Sequence, residues 1–190
     1  MKSISKFDLL SSLEHEVENH LAEAISVFQN LPEETLLKPA PDGGWSMAQC
    51  LAHLNSYGRF YLPAITSAIN HPAGNATNEK FKSSWLGNYF TQMMQPGNSA
   101  KKYRSPKNHS PAPNLNARAV MAEFIQQQEQ LMLCLRKAKV TDINATRVPV
   151  SISKWIRLKL GDTFRFLIAH NERHMLQAKK HLDKNQTCTL

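Results

Sequence analysis

Two histidines near the C-terminal end of the chain have the spacing that a metal ion needs. His170 and His174 are four residues apart in the segment HNERH. If this segment is helical, the side chains at i and i+4 lie on one face, one turn apart. Two imidazoles in that arrangement can bind one divalent cation from a single helix. The same face continues through Leu167, Gln177 and His181, so it is more polar than a purely structural face would be.

A third ligand has to come from another helix, and His53 is the candidate. It shares a stripe with Gln49, Tyr57 and Phe60 in a segment with helical periodicity. Three neutral nitrogens leave a coordination position open, which is typical of reactive metal sites. The predicted metal ligands are therefore His53, His170 and His174, and the candidate pocket residues are Gln49, Tyr57 and Gln177.

The same residues also have a simpler interpretation. A buried histidine is usually satisfied by ordinary hydrogen bonds, and an HxxxH pair can arise by chance, so spacing alone does not favour a metal. Glu172 points away from both histidines on a helix that turns about 100° per residue, which indicates a surface ion-pair partner rather than a general base. The remaining histidines are interpreted as surface or loop residues: His15, His20, His71, His109 and His181.

The charge of the chain is unevenly distributed. Residues 1–79 hold 4 Lys/Arg and 9 Asp/Glu, whereas residues 80–190 hold 19 and 6, so the halves carry −5 and +13. The basic residues are dispersed, and no aromatic-basic nucleic-acid motif accompanies them. A solvated basic face is the favoured interpretation, and nucleic-acid binding is the weakest of three functional hypotheses. No Walker loop, GxGxxG, HExxH, GxSxG or CxxC motif is present.

Length and cysteine usage favour one cytoplasmic domain over residues 1–190. There is no run of about 18 apolar residues, and the first twenty residues lack the apolar segment of a signal peptide, so no membrane association is expected. Three cysteines without a CxxC pair are typical of a reducing compartment. Cys50 and Cys134 are predicted in the core, and Cys188 is predicted to be an exposed thiol.

Hydrophobic periodicity predicts an all-α protein with four long helices. Ser46 and Gln49 are spaced as a capping box, Pro63 is expected to kink rather than stop its helix, and Gly161-Asp162 is expected to supply a break and an N-cap. The predicted helices run from about Lys6 to Asn30, from Ser46 towards Ile69, from Asn116 to about Lys139, and from Phe164 to about Asp183. The predicted connections are a loop at 31–44, a long crossover at 71–114 whose aromatic stretch Phe81–Phe90 forms a short helix or a lid, and an irregular segment at Thr141–Leu160.

Two of these segments resemble the DinB-like superfamily, which includes the YfiT-type metal-dependent hydrolases. They are GWSMAQCLAHL at 44–54, and LGD at 160–162 leading into HNERHMLQ at 170–177. The resemblance implies an up-down-down-up four-helix bundle, a nickel or zinc ion bound by the three histidines, and a homodimer. Many relatives have a glutamate where Gln49 stands, so a carboxylate's task at that position is not expected here.

The leading hypothesis is a metal-dependent enzyme, either a hydrolase or a thiol-dependent transferase, that acts on a small molecule such as a thiol. The metal would lower the pKa of a bound water or thiol and so supply a nucleophile at neutral pH. The alternative is a non-catalytic helical module for dimerisation or partner binding, with a structural or vestigial metal site. Family resemblance alone does not decide between them.

Overall fold

The computed structural model describes residues 2–41, 43–74, 78–97 and 105–183. The predictions for Cys188 and for the side chain of His181 fall outside this description. The helices are α1 Lys6–Ser26, α2 Glu33–Leu37, α3 Met47–Asn70, α4 Trp85–Met94, α5 Ala117–Ala138 and α6 Leu160–Asp183. The strands are β1 Ile4–Ser5, β2 Lys80–Phe81, β3 Arg147–Val150 and β4 Ser153–Lys159, and short 3₁₀ turns occupy Phe28–Asn30 and Lys107–His109.

The four long helices α1, α3, α5 and α6 form the predicted up-down-down-up bundle. α3 packs against both α5 and α6, and α1 packs against α5 and, less extensively, α6. Two apolar clusters fill the interior, one around Leu10, Phe164 and Ile168, and one around Phe28, Leu51 and Phe124. No helix among the described residues is long and apolar enough to cross a membrane.

The start of α3 confirms the predicted capping box. Ser46 Oγ accepts a hydrogen bond from the Gln49 amide at 3.1 Å, and Gln49 Oε1 accepts one from the Ser46 amide at 3.0 Å. These bonds satisfy two backbone donors that a helix start otherwise leaves open, and such a cap contributes about 1 kcal/mol. Pro63 lies within α3, which continues beyond it to Asn70.

The long crossover contains the expected short helix, displaced a few residues towards the C-terminus. α4 packs along α6, where Phe90 lies 6.1 Å from Phe166 between ring centroids and Arg173 donates to the Met93 carbonyl at 3.1 Å. Ser84 caps α4 by accepting from the Gly87 amide at 3.0 Å. α4 therefore covers the part of α6 that leads to the histidine pair.

The prediction that Thr141–Leu160 is irregular is wrong for most of the segment, which forms a β-hairpin. β3 and β4 pair antiparallel, and Val148 lies opposite Leu158 with both side chains buried. The opposite face is open, and the side chain of Trp155 is 95% exposed. This segment forms a hairpin because alternate apolar side chains can be buried against α3, a tertiary contact that local sequence does not encode.

The break and N-cap predicted at Gly161-Asp162 are also wrong, because α6 already begins at Leu160. The amides of Leu160 and Gly161 donate to loop carbonyls at 2.9 and 3.2 Å, so the first turn needs no side-chain cap. Asp162 instead accepts hydrogen bonds from the Ser84 amide at 2.9 Å and the Ser84 hydroxyl at 2.7 Å. This carboxylate therefore holds the start of α4 rather than that of its own helix.

Gly87 allows the Asp162 side chain to approach the start of α4, and a side chain at position 87 should weaken this contact. A Cβ at Gly87 would lie 2.1 Å from Cγ of Asp162, which its hydrogen bonds hold in place. We expect Gly87→Ala to destabilise the protein by about 1–3 kcal/mol through overpacking, although alanine normally favours a helix over glycine by about 1 kcal/mol.

Thermal unfolding followed by circular dichroism measures this effect, and Gln92→Ala on the exposed face of α4 is the control. For a chain of this size we expect the midpoint to fall by about 2–4 °C per kcal/mol. A Gly87→Ala protein at least as stable as the control would contradict the packing described here.

Candidate metal centre

The structure brings His53, His170 and His174 together between α3 and α6. Each offers a ring nitrogen, and the three nitrogens lie within 4.8 Å of one another. Nε2 of His53 is 3.1 Å from Nε2 of His170. The ring centroids of His170 and His174 are 4.8 Å apart, because the i, i+4 spacing on α6 places both on the face towards α3.

Two of the three imidazoles have their outer nitrogen fixed by an oxygen acceptor. Nδ1 of His53 donates to the carbonyl of His109 at 2.7 Å, and Nδ1 of His174 donates to Oε1 of Gln177 at 3.0 Å. Because a neutral imidazole carries one N–H, this arrangement leaves Nε2 of both rings with a free lone pair. Nδ1 of His170 is buried and has no hydrogen-bond partner among the described residues.

Burial keeps all three imidazoles neutral. It lowers the pKa of His53 to about 4 and that of His174 to about 3, and the pKa of His170 lies well below its ordinary value for the same reason. The neighbouring imidazoles lower these pKa values further, since a second positive charge in the cluster is unfavourable. Neutral imidazole is the form that binds metals, so protons do not compete for these nitrogens at neutral pH.

The donor set fits a divalent transition metal. Zinc–nitrogen bonds of about 2.0–2.1 Å in tetrahedral geometry separate two ligand nitrogens by about 3.3 Å. The observed 3.1 Å between His53 and His170 is close to that separation. Because Nδ1 of His53 donates to the His109 carbonyl, this contact is a hydrogen bond from Nε2 of His170 to Nε2 of His53, and a bound cation would replace the proton between them.

Aromatic rings surround the cluster. The centroid of Tyr57 lies 4.4 Å from that of His170 and 5.1 Å from that of His53. Trp45 lies 4.9 Å from His53, and Phe166 stacks on His170 at 5.9 Å. Burial raises the pKa of Tyr57 to about 12, so its hydroxyl stays protonated at neutral pH.

The predicted pocket residues have different surroundings. Tyr57 and Gln177 contact the histidine cluster, whereas the Gln49 side chain is engaged in the helix cap. The cluster itself contains no carboxylate among the described residues. Glu172 lies outside the cluster as predicted, and its Oε2 accepts a hydrogen bond from Nε2 of His20 at 2.8 Å.

Two of the histidines predicted at the surface or in loops are buried. His20 is 2% exposed because it faces α6 and bonds Glu172 there. His109 does lie in the crossover, but it is 7% exposed because its ring packs on α3. The predictions for His15 and His71 are confirmed, since both are exposed.

Two residues that contact the site, His109 and Trp45, were not predicted from the sequence. The signal for Trp45 was present, because it immediately precedes the capped start of the helix that carries His53. His109 lies in a proline-rich stretch without periodicity, so nothing in the local sequence indicates its contacts. Cys50 and Cys134 are buried as predicted, and burial raises the pKa of Cys50 to about 12, which keeps that thiol protonated.

Comparison with known proteins places this geometry in a family. The structure is similar to that of YfiT from Bacillus subtilis, with a TM-score of 0.57 and 17% sequence identity over 98% of this chain and 92% of that chain. YfiT is described as a probable metal-dependent hydrolase with an unusual four-helix bundle topology. No curated protein matches the chain. The model of the DinB superfamily matches residues 16–178, and the chain therefore belongs to the DinB superfamily.

Proposed function

We propose that this chain is a metal-dependent enzyme, a hydrolase or a thiol-dependent transferase, with one divalent metal bound by His53, His170 and His174. The observation that carries the proposal is the convergence of three neutral imidazole nitrogens within 4.8 Å, two of them on buried histidines and the third on the half-buried His174. Three protein ligands leave a position for water or substrate, as in catalytic zinc sites. The description of YfiT as a probable metal-dependent hydrolase supports the same reading.

The residues around the site bind and orient rather than react. The His109 carbonyl and the Gln177 amide fix the tautomers of His53 and His174, and the rings of Trp45 and Tyr57 limit the access of water. The metal, when bound, supplies Lewis acidity that makes a nucleophile available near neutral pH. Because the cluster holds no carboxylate among the described residues, this chemistry has no nearby acidic general base.

The ligand chemistry favours a transition metal over magnesium or calcium, and the family resemblance suggests nickel or zinc. Neutral imidazoles suit zinc, copper, iron and nickel, whereas magnesium and calcium require oxygen ligands. The proposed substrate is a small molecule, with a thiol as the co-substrate in the transferase case. A homodimer and a cytoplasmic location remain part of the proposal, because family resemblance suggests the first and cysteine usage the second.

Elemental analysis of untagged protein tests the site. We expect about one nickel or zinc ion per chain in the wild type and none in the double variant His170→Ala/His174→Ala. The exposed residues His15 and His71 provide the control, since the double variant His15→Ala/His71→Ala should keep its metal. A wild-type protein without metal, even after incubation with Zn²⁺ or Ni²⁺, would refute the enzyme proposal and favour the helical binding module.

A substrate screen of the metal-loaded protein then separates the two reaction classes. A hydrolase turns over esters or amides without added thiol, whereas a thiol transferase requires the thiol and consumes it in equal amounts. The double variant His170→Ala/His174→Ala should be inactive in either assay. Equal activity in that variant would show that the turnover does not depend on this site.

A further inference from the structure

We infer that residues 105–110, here called the strap, position His53 and thereby set the metal affinity of the site. This inference rests on the proposed metal-binding function. The strap belongs to the crossover between α4 and α5, far in sequence from all three histidines of the cluster. Its 3₁₀ turn Lys107–His109 packs on α3, the helix that carries His53.

The strap supplies the acceptor for the outer nitrogen of His53. The His109 carbonyl accepts from Nδ1 of His53 at 2.7 Å, and Oγ of Ser105 lies 3.4 Å from the same nitrogen. The His109 and Ser110 amides donate to Pro106 and Lys107 carbonyls at 2.9 and 3.2 Å, which fixes the direction of the turn. The strap thus selects the tautomer of His53 whose Nε2 faces the cluster.

The side chain of His109 anchors the strap to α3. Its Nδ1 lies 2.9 Å from Oγ of Ser56, and its ring stacks on Tyr57 with centroids 4.0 Å apart and planes 30° apart. Ser56 and Tyr57 follow His53 by three and four residues, so anchor and ligand lie on one face of α3.

The rest of the turn is exposed. Pro106, Lys107, Asn108 and Ser110 are all on the surface, whereas His109 is 7% exposed. The ring of His109 is therefore the part of the turn that is buried against the bundle. Without the His109 ring, the turn should detach from α3, and the backbone carbonyl of residue 109 should then move away from His53.

Docking of the strap and metal binding are then coupled, because both favour the same state of His53. Such coupling is reciprocal: a docked strap raises metal affinity, and bound metal stabilises the docked strap. Groups that orient a metal ligand through its outer nitrogen are typically worth 10–100-fold in metal affinity. We expect an effect of that size on removing the anchor.

Zn²⁺ titration in competition with a chromophoric chelator measures the effect. The Kd of His109→Ala should be about 10–100 times that of the wild type, while Asn108→Ala on the exposed side of the same turn should leave it unchanged. His109→Phe keeps the stacking on Tyr57 without an imidazole nitrogen, so its Kd should lie closer to the wild-type value. Because His109→Phe also loses the hydrogen bond to Ser56, Ser56→Ala is measured beside it. Equal losses in His109→Ala and His109→Phe with no loss in Ser56→Ala would overturn the positioning role, because they would indicate that the imidazole itself binds the metal.

Hydrogen exchange supplies a second readout that a merely structural role would not change. Zn²⁺ should slow exchange of the His109 and Ser110 amides in the wild type but not in His170→Ala/His174→Ala. Unchanged exchange in a wild type that binds Zn²⁺, or equal Kd values for His109→Ala and Asn108→Ala, would overturn the strap inference and leave the proposed function standing. A wild type that binds no Zn²⁺ would overturn both.

Discussion

The metal-free protein should lose much of its stability as the pH falls from about 6.5 to about 4. In the folded state the pKa of His53 is about 4 and that of His174 about 3, and burial is the main cause in both. In the unfolded chain each takes up a proton near pH 6.5. Below that pH the unfolded state binds more protons than the folded state, so the free energy of unfolding decreases as the pH falls.

The expected loss in the free energy of unfolding is large for a chain of this length. One pKa unit corresponds to about 1.4 kcal/mol, so by about pH 4 the loss in the free energy of unfolding is on the order of 3 kcal/mol each for His53 and His174. His170 adds to it in the same direction, since its pKa is also lowered by burial. Whole domains have a free energy of unfolding of about 5–15 kcal/mol, so the metal-free form should be close to unfolding at about pH 4.

Urea unfolding of chelator-treated protein between pH 7 and 4.5 measures this loss. Each of the three histidines should contribute up to about 1.4 kcal/mol per pH unit, and His174→Gln should reduce the slope by about one histidine's share. His15→Ala should leave the slope unchanged, because that side chain is exposed. Carboxylates with lowered pKa values, such as Glu14 and Glu172, lose their contribution at lower pH. A flat dependence from pH 6.5 to 4.5 would mean that the histidines are not buried as described.

The long helices could be predicted because their signals are local. Ser46 and Gln49 have the capping-box spacing, and their side chains form both of its hydrogen bonds. Asn116 caps α5 in the same way by accepting from the Ala119 amide at 2.9 Å. Such contacts span three residues, so the sequence within one turn contains all the information that they need.

The elements that could not be predicted depend on contacts between distant segments. Position 161 needs a glycine inside α6 because a Cβ there would lie 2.5 Å from the ring of Phe81, so this glycine serves close packing rather than a helix break. The β3–β4 hairpin likewise depends on burial of Val148 and Leu158 against the bundle. Glycine, proline and β-branched residues indicate a break or an irregular segment when read alone, and tertiary packing overrides that reading.

The site shows the same division. The pair His170 and His174 follows from helical spacing, and His53 is the candidate third ligand because it lies on a stripe of another predicted helix. The contact of His109 with His53 crosses 56 residues, and that of His20 with Glu172 crosses 152. Periodicity assigns His20 to a face of its helix but does not identify the element opposite, and His109 lies in a loop without periodicity. Both are therefore predicted as surface or loop residues from the sequence.

The largest effect of a single substitution outside the histidine cluster is expected at Asp162. Its side chain is fully buried, accepts hydrogen bonds from Ser83 and Ser84, and lies 3.8 Å from the guanidinium of Arg165. Breaking a buried charge pair by removing one partner costs about 3–5 kcal/mol. We expect Asp162→Ala to lose stability in that range, because the donors at the start of α4 lose their acceptor. Arg165 keeps its hydrogen bond to Ser83 Oγ at 2.8 Å but loses the opposite charge beside it.

Asp162→Asn separates the contribution of the Asp162 charge to stability from the contribution of its hydrogen bonds. An asparagine keeps one acceptor oxygen in the same volume. The free energy of unfolding of Asp162→Asn should therefore lie between those of the wild type and Asp162→Ala. Asp8→Ala, an exposed aspartate in α1, is the control and should cost about 1 kcal/mol or less. Urea unfolding gives the free energies, and hydrogen exchange should show the loss concentrated in α4.

This substitution also tests how the crossover is held over the histidine cluster. Asp162 fixes the start of α4, Arg173 holds its end through the Met93 carbonyl, and Phe90 contacts Phe166, which stacks on His170. If α4 depends on Asp162, then Asp162→Ala should weaken Zn²⁺ binding as well as folding, while Asp8→Ala should leave the Kd unchanged. A large loss of stability with unchanged Zn²⁺ affinity would instead mean that the histidine cluster keeps its geometry without α4, supported by α3, α6 and the strap alone.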